Sequence, residues 1–237
     1  YSQQEPRLVV HFASTTAGIK EDPSVKEIVD NYASNDIDFH KTVADMAGID
    51  RIQAKTINLG LFYGMGKAKL QAELGLSTKQ EAEALFNQYH DRVPFVRNLM
   101  QETSRWASRE GEIRTLLGRG CRFNKWEPAQ FGMHTPMTWE DAVKKYGENR
   151  IRRAFTYKAL NKLIQGSAAD MTKKSMLDLY KEGIIAHIQI HDELDLSVES
   201  PEQAKKVVEI MENAVKLDVP NKVDYESGKN WGDIYDK

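Results

Sequence analysis

The segment Asp50-Arg51-Ile52-Gln53-Ala54-Lys55-Thr56-Ile57-Asn58-Leu59-Gly60-Leu61-Phe62-Tyr63-Gly64 sets two cations ahead of two apolar or aromatic side chains on one helical face. Arg51, Lys55, Leu59 and Tyr63 follow one another at i, i+4 steps, so in a helix they form a slowly drifting stripe. At about 1.5 Å per residue the stripe is roughly 18 Å long, close to the length of an extended nucleoside triphosphate. Phosphates suit its cationic end and a base its aromatic end. Spacing alone equally admits an amphipathic surface helix carrying two solvated cations.

The string itself is more specific. Arg51, Lys55, Asn58, Gly60, Tyr63 and Gly64 closely resemble the fingers-helix motif of family A DNA polymerases, the DNA polymerase I group. The resemblance implies an α/β fold: a right-hand polymerase palm, with an antiparallel sheet and helices, plus a helical fingers subdomain. Residues 1–15 and 151–237 would form the two parts of the palm, and residues 16–150 the fingers.

Composition sets outer bounds that agree. A chain of 237 residues buries a sizeable core. Its 41% hydrophobic and 29% charged content is that of a globular protein. A net charge of -2 argues against a generic polycation but says nothing of local patches. The single cysteine, Cys121, excludes an internal disulfide framework and a cysteine-rich zinc site. No run reaches the roughly 20 apolar residues of a membrane span, so the expectation is a cytoplasmic protein without a membrane partner. The first residue is Tyr1, not methionine, which suggests a fragment or a processed product.

At the amino end, Tyr1-Ser2-Gln3-Gln4-Glu5-Pro6-Arg7 precedes an apolar run, Leu8 to Ala13, that periodicity alone reads as strand or buried helix. The family's palm motif has the form Asp-Tyr-Ser-Gln-x-Glu-x-Arg, which this segment resembles from its second position on. In the family the first aspartate is one of two carboxylates that hold the catalytic metals. Glu5 matches the glutamate that, with the Tyr63 position, crowds the sugar 2′ carbon; taken alone, Glu5 is a solvated carboxylate. Asp38-Phe39-His40 resembles the segment before the fingers helix, with His40 reaching a triphosphate oxygen.

Downstream, Ser77-Thr78-Lys79-Gln80 reads as a capping box, and a second helical pattern runs from Phe95 to Arg109 with a stop at Gly111. Thr115 to Arg119 reads as a turn in which glycine supplies positive φ. Arg105, Arg109, Arg114, Arg119 and Arg122 suit either a phosphate track or a solvated face. Arg150 to Lys181 reads as one long helix. Within it Asn161 and Gln165 share a face, and their amides suit the acceptors common to all base pairs in a minor groove, the role the matching family residues have. Where relatives carry an arginine one turn before Asn161, this chain has Tyr157.

Ile188-Gln189-Ile190-His191-Asp192-Glu193-Leu194-Asp195-Leu196-Ser197-Val198 alternates on both sides of His191-Asp192-Glu193, the pattern of two strands meeting at an acidic tip. Any surface hairpin could look so. The tip resembles the family's metal motif, which makes Asp192 a metal ligand, Glu193 a supporting carboxylate and metal ligand, and His191 a contact to the primer end.

Together these resemblances cover nearly the whole chain and imply a DNA-directed DNA polymerase, of phage type by the flavour of Tyr1–Arg7 and 157–161. Its partners would be primer-template DNA, dNTPs, and an upstream thumb or exonuclease region or a separate N-terminal polypeptide. Two Mg2+ ions are the implied cofactor. Catalysis would fall to Asp192, Glu193 and Lys55, and nucleotide binding to Glu5, His40, Arg51, Lys55, Leu59 and Tyr63. DNA binding would fall to Asn161, Gln165 and His191. Two alternatives stand beside this: a single-subunit RNA polymerase, and a non-catalytic DNA-binding subunit of a split polymerase.

Overall fold

A computed structural model describes residues 1–34, 37–62, 65–130, 132–230 and 232–235. The ambiguous apolar run resolves to helix α1 (Gln4–Thr15), in which Leu8, Val9, Val10 and Ala13 are buried. It is followed by α2 (Pro23–Ser34), α3 (Phe39–Ala47), α4 (Arg51–Phe62) and α5 (Lys67–Glu73). Asp38 caps α3 by accepting from the Lys41 N–H at 3.0 Å, and Gly48 ends that helix at φ 67°. Asp50 does the same for α4, its Oδ1 accepting from Ile52 and Gln53 at 2.8 and 2.9 Å.

Helix α6 (Lys79–Arg92) opens with the expected capping box between Thr78 and Glu81. Val93 then serves as its C-cap and as the N-cap of α7 (Pro94–Glu110), so the two helices join without a loop. Pro94 at the first position of α7 has no N–H to satisfy, and Gly111 terminates the helix at φ 73°.

Three two-stranded antiparallel sheets are present among the described residues. Strand β1 (Glu112–Arg114) pairs with β2 (Gly120–Arg122), and β3 (Trp126–Pro128) with β4 (Ile151–Arg153) on either side of α8 (Trp139–Tyr146). After α9 (Ala159–Lys181), β5 (Ile188–Ile190) and β6 (Glu193–Asp195) form the expected hairpin, and α10 (Pro201–Asn213) follows with Ser200 as its cap. The fold class, helices with small antiparallel sheets, is as the sequence suggests.

Two boundaries differ from the sequence reading. The single helix over 150–181 is broken: β4 takes Ile151–Arg153, Phe155 sits in the left-handed region at φ 64°, and a 3-10 turn at Thr156–Lys158 leads into α9. Pairing with β3 overrides helical periodicity there. Arg153 lies 4.6 Å over the Trp126 ring and donates to the Phe123 carbonyl at 3.0 Å. The second strand stops at Asp195 instead of running to Val198, because its partner ends at Ile188.

The main core joins α1, α2, α3, α4, α6, α7 and α9 through Leu8, Ile28, Phe39, Ile57, Tyr89, Phe95, Leu99 and Ile164. Each such side chain contributes about 1.5–3 kcal/mol on burial. The β1–β2 turn is fastened onto α9. Asp170, 7% exposed, accepts from the Thr115 hydroxyl and from the Arg119 guanidinium at 2.9–3.0 Å, and Ser167 Oγ accepts from the Leu116 N–H at 2.9 Å. Gly166 permits this approach, since a Cβ there would lie 2.7 Å from Thr115 Cγ2. No helix among the described residues is long and apolar enough to cross a membrane.

Gly166→Ala is expected to lower stability by about 1–3 kcal/mol, and Thr115→Ser, which deletes the clashing methyl, to recover most of that loss in a chemical denaturation series. His90 supplies a second test. It is 4% exposed, packs edge-on against Phe86, and has no hydrogen-bond partner on either ring nitrogen among the described residues. Burial, then the Arg97 charge, pushes its pKa from 6.5 to about 4. The folded state therefore binds fewer protons than the unfolded state in that window, and stability falls with falling pH. A loss of about 3 kcal/mol is expected between pH 6.5 and about 4. His90→Phe should flatten that part of a stability-versus-pH curve.

Candidate active site

The hairpin tip is a two-residue connection. Ile190 pairs with Glu193, and His191 takes φ 52°, a conformation that histidine adopts more readily than most residues. The Gln189 side chain donates to the His191 carbonyl at 2.6 Å and braces the tip. His191 and Glu193 are exposed and Asp192 is half-buried. The Tyr1 α-nitrogen donates to the Asp192 carbonyl at 2.9 Å, so the amino end of the chain lies directly on the acidic tip. Tyr1 is itself fixed: its hydroxyl pairs with Ser175 Oγ at 2.6 Å and donates to the Met211 carbonyl at 2.7 Å. Burial pushes that phenol up to about 12.

A third carboxylate went unnoticed in the sequence. Asp195 lies two residues from Glu193 on the same strand, so both side chains share a face. Its Oδ2 is buried. Burial, then the neighbouring Glu193 charge, raises its pKa. Strand alternation was the available signal, because it assigns Asp195 to the face of Glu193. Among the described residues no group of three or more His, Cys, Asp or Glu is arranged to hold a metal ion.

The next cluster sits on α3 and α4. Arg51 and Lys55 are both exposed on α4. Arg51 donates from two nitrogens to Asp38 Oδ2, each at 2.7 Å, whereas Lys55 has no ion-pair partner among the described residues. Burial alone would raise the Asp38 carboxyl, but the Lys41 N–H and the Arg51 guanidinium together lower it. Leu59 is half-buried and packs against the main core. Tyr63, with Gly64, lies outside the described residues. Gly60 lies against the Met65 side chain, whose Sδ would be 2.7 Å from a Cβ at that position and would have to move to admit one.

His40 is brought to this face by Asn58. Asn58 is 0% exposed, its Nδ2 lies 3.1 Å from His40 Nδ1, and its Oδ1 accepts from the buried Tyr89 hydroxyl. Burial lowers the His40 pKa, Asp38 opposes this, and Arg51 and Lys55 add to the lowering. The sequence held a signal for this network: an asparagine flanked by Ile57 and Leu59 inside a core-facing helix needs partners for both ends of its amide.

On α9, Asn161 is half-buried and Gln165 exposed, and the Asn161 Nδ2 is buried without a hydrogen-bond partner among the described residues. Gln165 immediately precedes the Gly166 contact that seats the β1–β2 turn. The candidate arginines are each paired with a carboxylate: Arg105 with Glu102, Arg109 with Glu110, Arg114 and Arg122 with Glu112, and Arg119 with Asp170. Tyr157 is 56% exposed, with the Lys158 ammonium 5.6 Å from its ring centroid.

Glu5 occupies the first turn of α1 and is half-buried. The residues around it tie that helix to the other clusters. Gln3, at φ 53°, accepts from the Phe39 N–H at 2.9 Å and donates to the Ile37 carbonyl at 2.8 Å. Gln4 donates to the Ala168 carbonyl and Thr172 hydroxyl of α9 at 3.3 and 3.4 Å. One segment of seven residues thus touches the hairpin, the approach to His40, and α9.

The chain is similar to known proteins over nearly all its length. It is 34% identical to a DNA-directed DNA polymerase of Pseudomonas phage M6, over 98% of this chain and 37% of that protein. It is 33% identical to the thermostable DNA polymerase I of Thermus filiformis, over 98% of this chain and 26% of that one. It therefore spans about a quarter to two fifths of the length of these relatives. A solved structure of the POL domain of Pol1 from M. smegmatis, in complex with DNA primer-template and dNTP, superposes with a TM-score of 0.67 at 28% identity, over 93% of this chain and 37% of that one. The sequence model of DNA polymerase family A matches residues 1–233, and the chain belongs to that family.

Proposed function

We propose that this chain forms the palm (residues 1–15 and 151–237) and fingers (residues 16–150) of a template-directed DNA polymerase, which transfers the nucleotidyl group of a dNTP to a primer 3′-hydroxyl. The observation that carries the proposal is the 2.9 Å contact between the Tyr1 nitrogen and the Asp192 carbonyl. It joins the two segments that would have to share a metal site. In the family motif an aspartate precedes the tyrosine, and a residue joined to this nitrogen starts beside the backbone of Asp192.

The donor set fits the implied metal in kind. Asp192 and Glu193 offer only carboxylate oxygens, the hard ligands that suit Mg2+, and the aspartate of the motif would complete them. Two magnesium ions, when bound, would supply activation of the 3′-hydroxyl and charge neutralisation at the α-phosphate and the leaving pyrophosphate. The protein's own groups do the rest. Arg51, Lys55 and His40 would hold the triphosphate, and Lys55, exposed and without an ion-pair partner among the described residues, would give a proton to the departing pyrophosphate. Leu59 and Tyr63 would pack on the base and sugar, and Glu5 would crowd a ribose 2′-hydroxyl. Asn161 and Gln165 would read the minor groove, and His191 would contact the primer end. Primer-template DNA and dNTPs, present in the M. smegmatis complex, are the proposed partners.

In a polymerase that contains this chain with the motif aspartate before Tyr1, Asp192→Asn should reduce turnover by about a thousandfold or more, several kcal/mol of charge stabilisation. Duplex affinity should change by less than about twofold, because no phosphate contact is removed. A gel-shift titration alongside primer extension checks both, and lost duplex binding in a folded variant would place Asp192 elsewhere.

Leu59 stands where family members commonly carry phenylalanine or tyrosine, and tyrosine there compensates for a missing sugar 3′-hydroxyl. Leu59→Tyr is therefore expected to relax discrimination against dideoxynucleotides, and Leu59→Phe to leave it in place. The measurement is the ratio of dNTP to ddNTP incorporation efficiency; equal ratios for the three proteins would show that Leu59 does not face the sugar.

A further inference from the structure

We propose that Asn58 is a positioning residue for nucleotide binding: with its amide oriented by Tyr89, it holds His40 in the tautomer that carries the proton on Nε2, so the ring offers a fixed donor beside Arg51 and Lys55. The idea rests on the proposed function for its ligand, the triphosphate of a dNTP. The arrangement of the three side chains stands apart from that.

The orientation follows from hydrogen-bond accounting. Tyr89 is 0% exposed, and Asn58 is the hydrogen-bond partner of its hydroxyl among the described residues. Burial pushes this phenol far above its ordinary range, so it keeps its proton. That proton needs an acceptor, which only the amide oxygen of Asn58 can be. The amide nitrogen is then left facing His40 Nδ1 at 3.1 Å. Because Nδ2 can only donate, Nδ1 must accept, and a neutral imidazole with an accepting Nδ1 carries its hydrogen on Nε2. His40 Nε2 has no hydrogen-bond partner among the described residues.

The charges around the ring favour the same state. Asp38, on the N-terminal side of α3, favours protonation, but it is already engaged by the Lys41 N–H and by Arg51. Arg51 and Lys55 on α4 oppose a further cation, and burial opposes it more strongly. The third packed element, α6, contributes the uncharged Tyr89. His40 thus donates without being protonated, and the positive charge of the face stays on Arg51 and Lys55. An asparagine suits this task better than an aspartate, which would accept from Nδ1–H and draw a second proton onto the ring.

The test uses the 237-residue chain labelled with 15N histidine, and two-bond 1H–15N correlation spectra. The chain has six histidines, and His40→Gln identifies the relevant signals. The expected pattern is an unprotonated Nδ1 and a protonated Nε2; a protonated Nδ1 would overturn the proposal. Asn58→Asp, nearly isosteric, should convert His40 towards imidazolium at neutral pH. An unchanged pattern there would also overturn it. Tyr89→Phe keeps the ring in the core and should shift the His40 nitrogens towards a tautomer mixture, whereas unaltered shifts would remove Tyr89 from the relay.

Titration with dATP and Mg2+ then reads the consequence. His40→Ala and Asn58→Leu should each raise Kd about tenfold or more, with little extra loss in the double variant. Additive losses would overturn the coupling. If His40 keeps the expected tautomer but its signals do not respond to dATP, the functional reading fails and the Asn58–His40 link stands.

Discussion

The structure is registered on a few buried hydrogen bonds made by polar side chains at the amino end of α1. Gln4 and Arg7 are 5% and 3% exposed, and neither could be buried without partners. Gln4 finds them on α9. Arg7 donates to the Ser2 and Pro220 carbonyls at 3.0 and 2.5 Å, and its guanidinium lies 4.7 Å from the Tyr32 ring centroid. Apolar packing would tolerate small slips of these segments, but hydrogen bonds to named carbonyls do not. Tyr1, Gln3 and Gln4 therefore set where the acidic hairpin, the start of α3 and the α9 face can stand.

The two charged clusters are built on different physics. At the hairpin, Asp192 on the turn is followed by Glu193 and Asp195 on β6, and burial, then the neighbouring Glu193 charge, raises the Asp195 pKa. On α3 and α4 the charges are largely prearranged in compensated form. Arg51 is paired with Asp38, and both are well exposed, so the pair contributes about 0–1 kcal/mol and can be exchanged for an incoming anion at small cost. The contrast suits a cation on one side and a polyanion on the other. Family membership makes that contrast intelligible, although the geometry stands independently of it.

Much of this was legible in the sequence. The capping box at Thr78, the stop at Gly111 and the hairpin tip all follow from local chemistry that the tertiary fold leaves in force. The break at residues 151–158 was not legible, because strand pairing between β3 and β4 and a left-handed Phe155 override a helical period that continues through them. The stripe of Arg51, Lys55 and Leu59 was visible as spacing, but its supporting network was not. Asn58 and Tyr89 are 31 residues apart, and nothing in a linear reading brings them together. For the same reason Asp195 passed as strand filler, its burial being a property of the fold.

The arginines of α7 and the β1–β2 hairpin have one more consequence. Arg105, Arg109, Arg114, Arg119 and Arg122 already have a carboxylate counter-ion, and four of these five draw on Glu102, Glu110 and Glu112 on the same short stretch of chain. Were this surface to meet a phosphate backbone, the displaced partner would be a tethered glutamate as much as a mobile salt ion. Affinity for a polyanion would then depend on salt less steeply than the number of arginines implies.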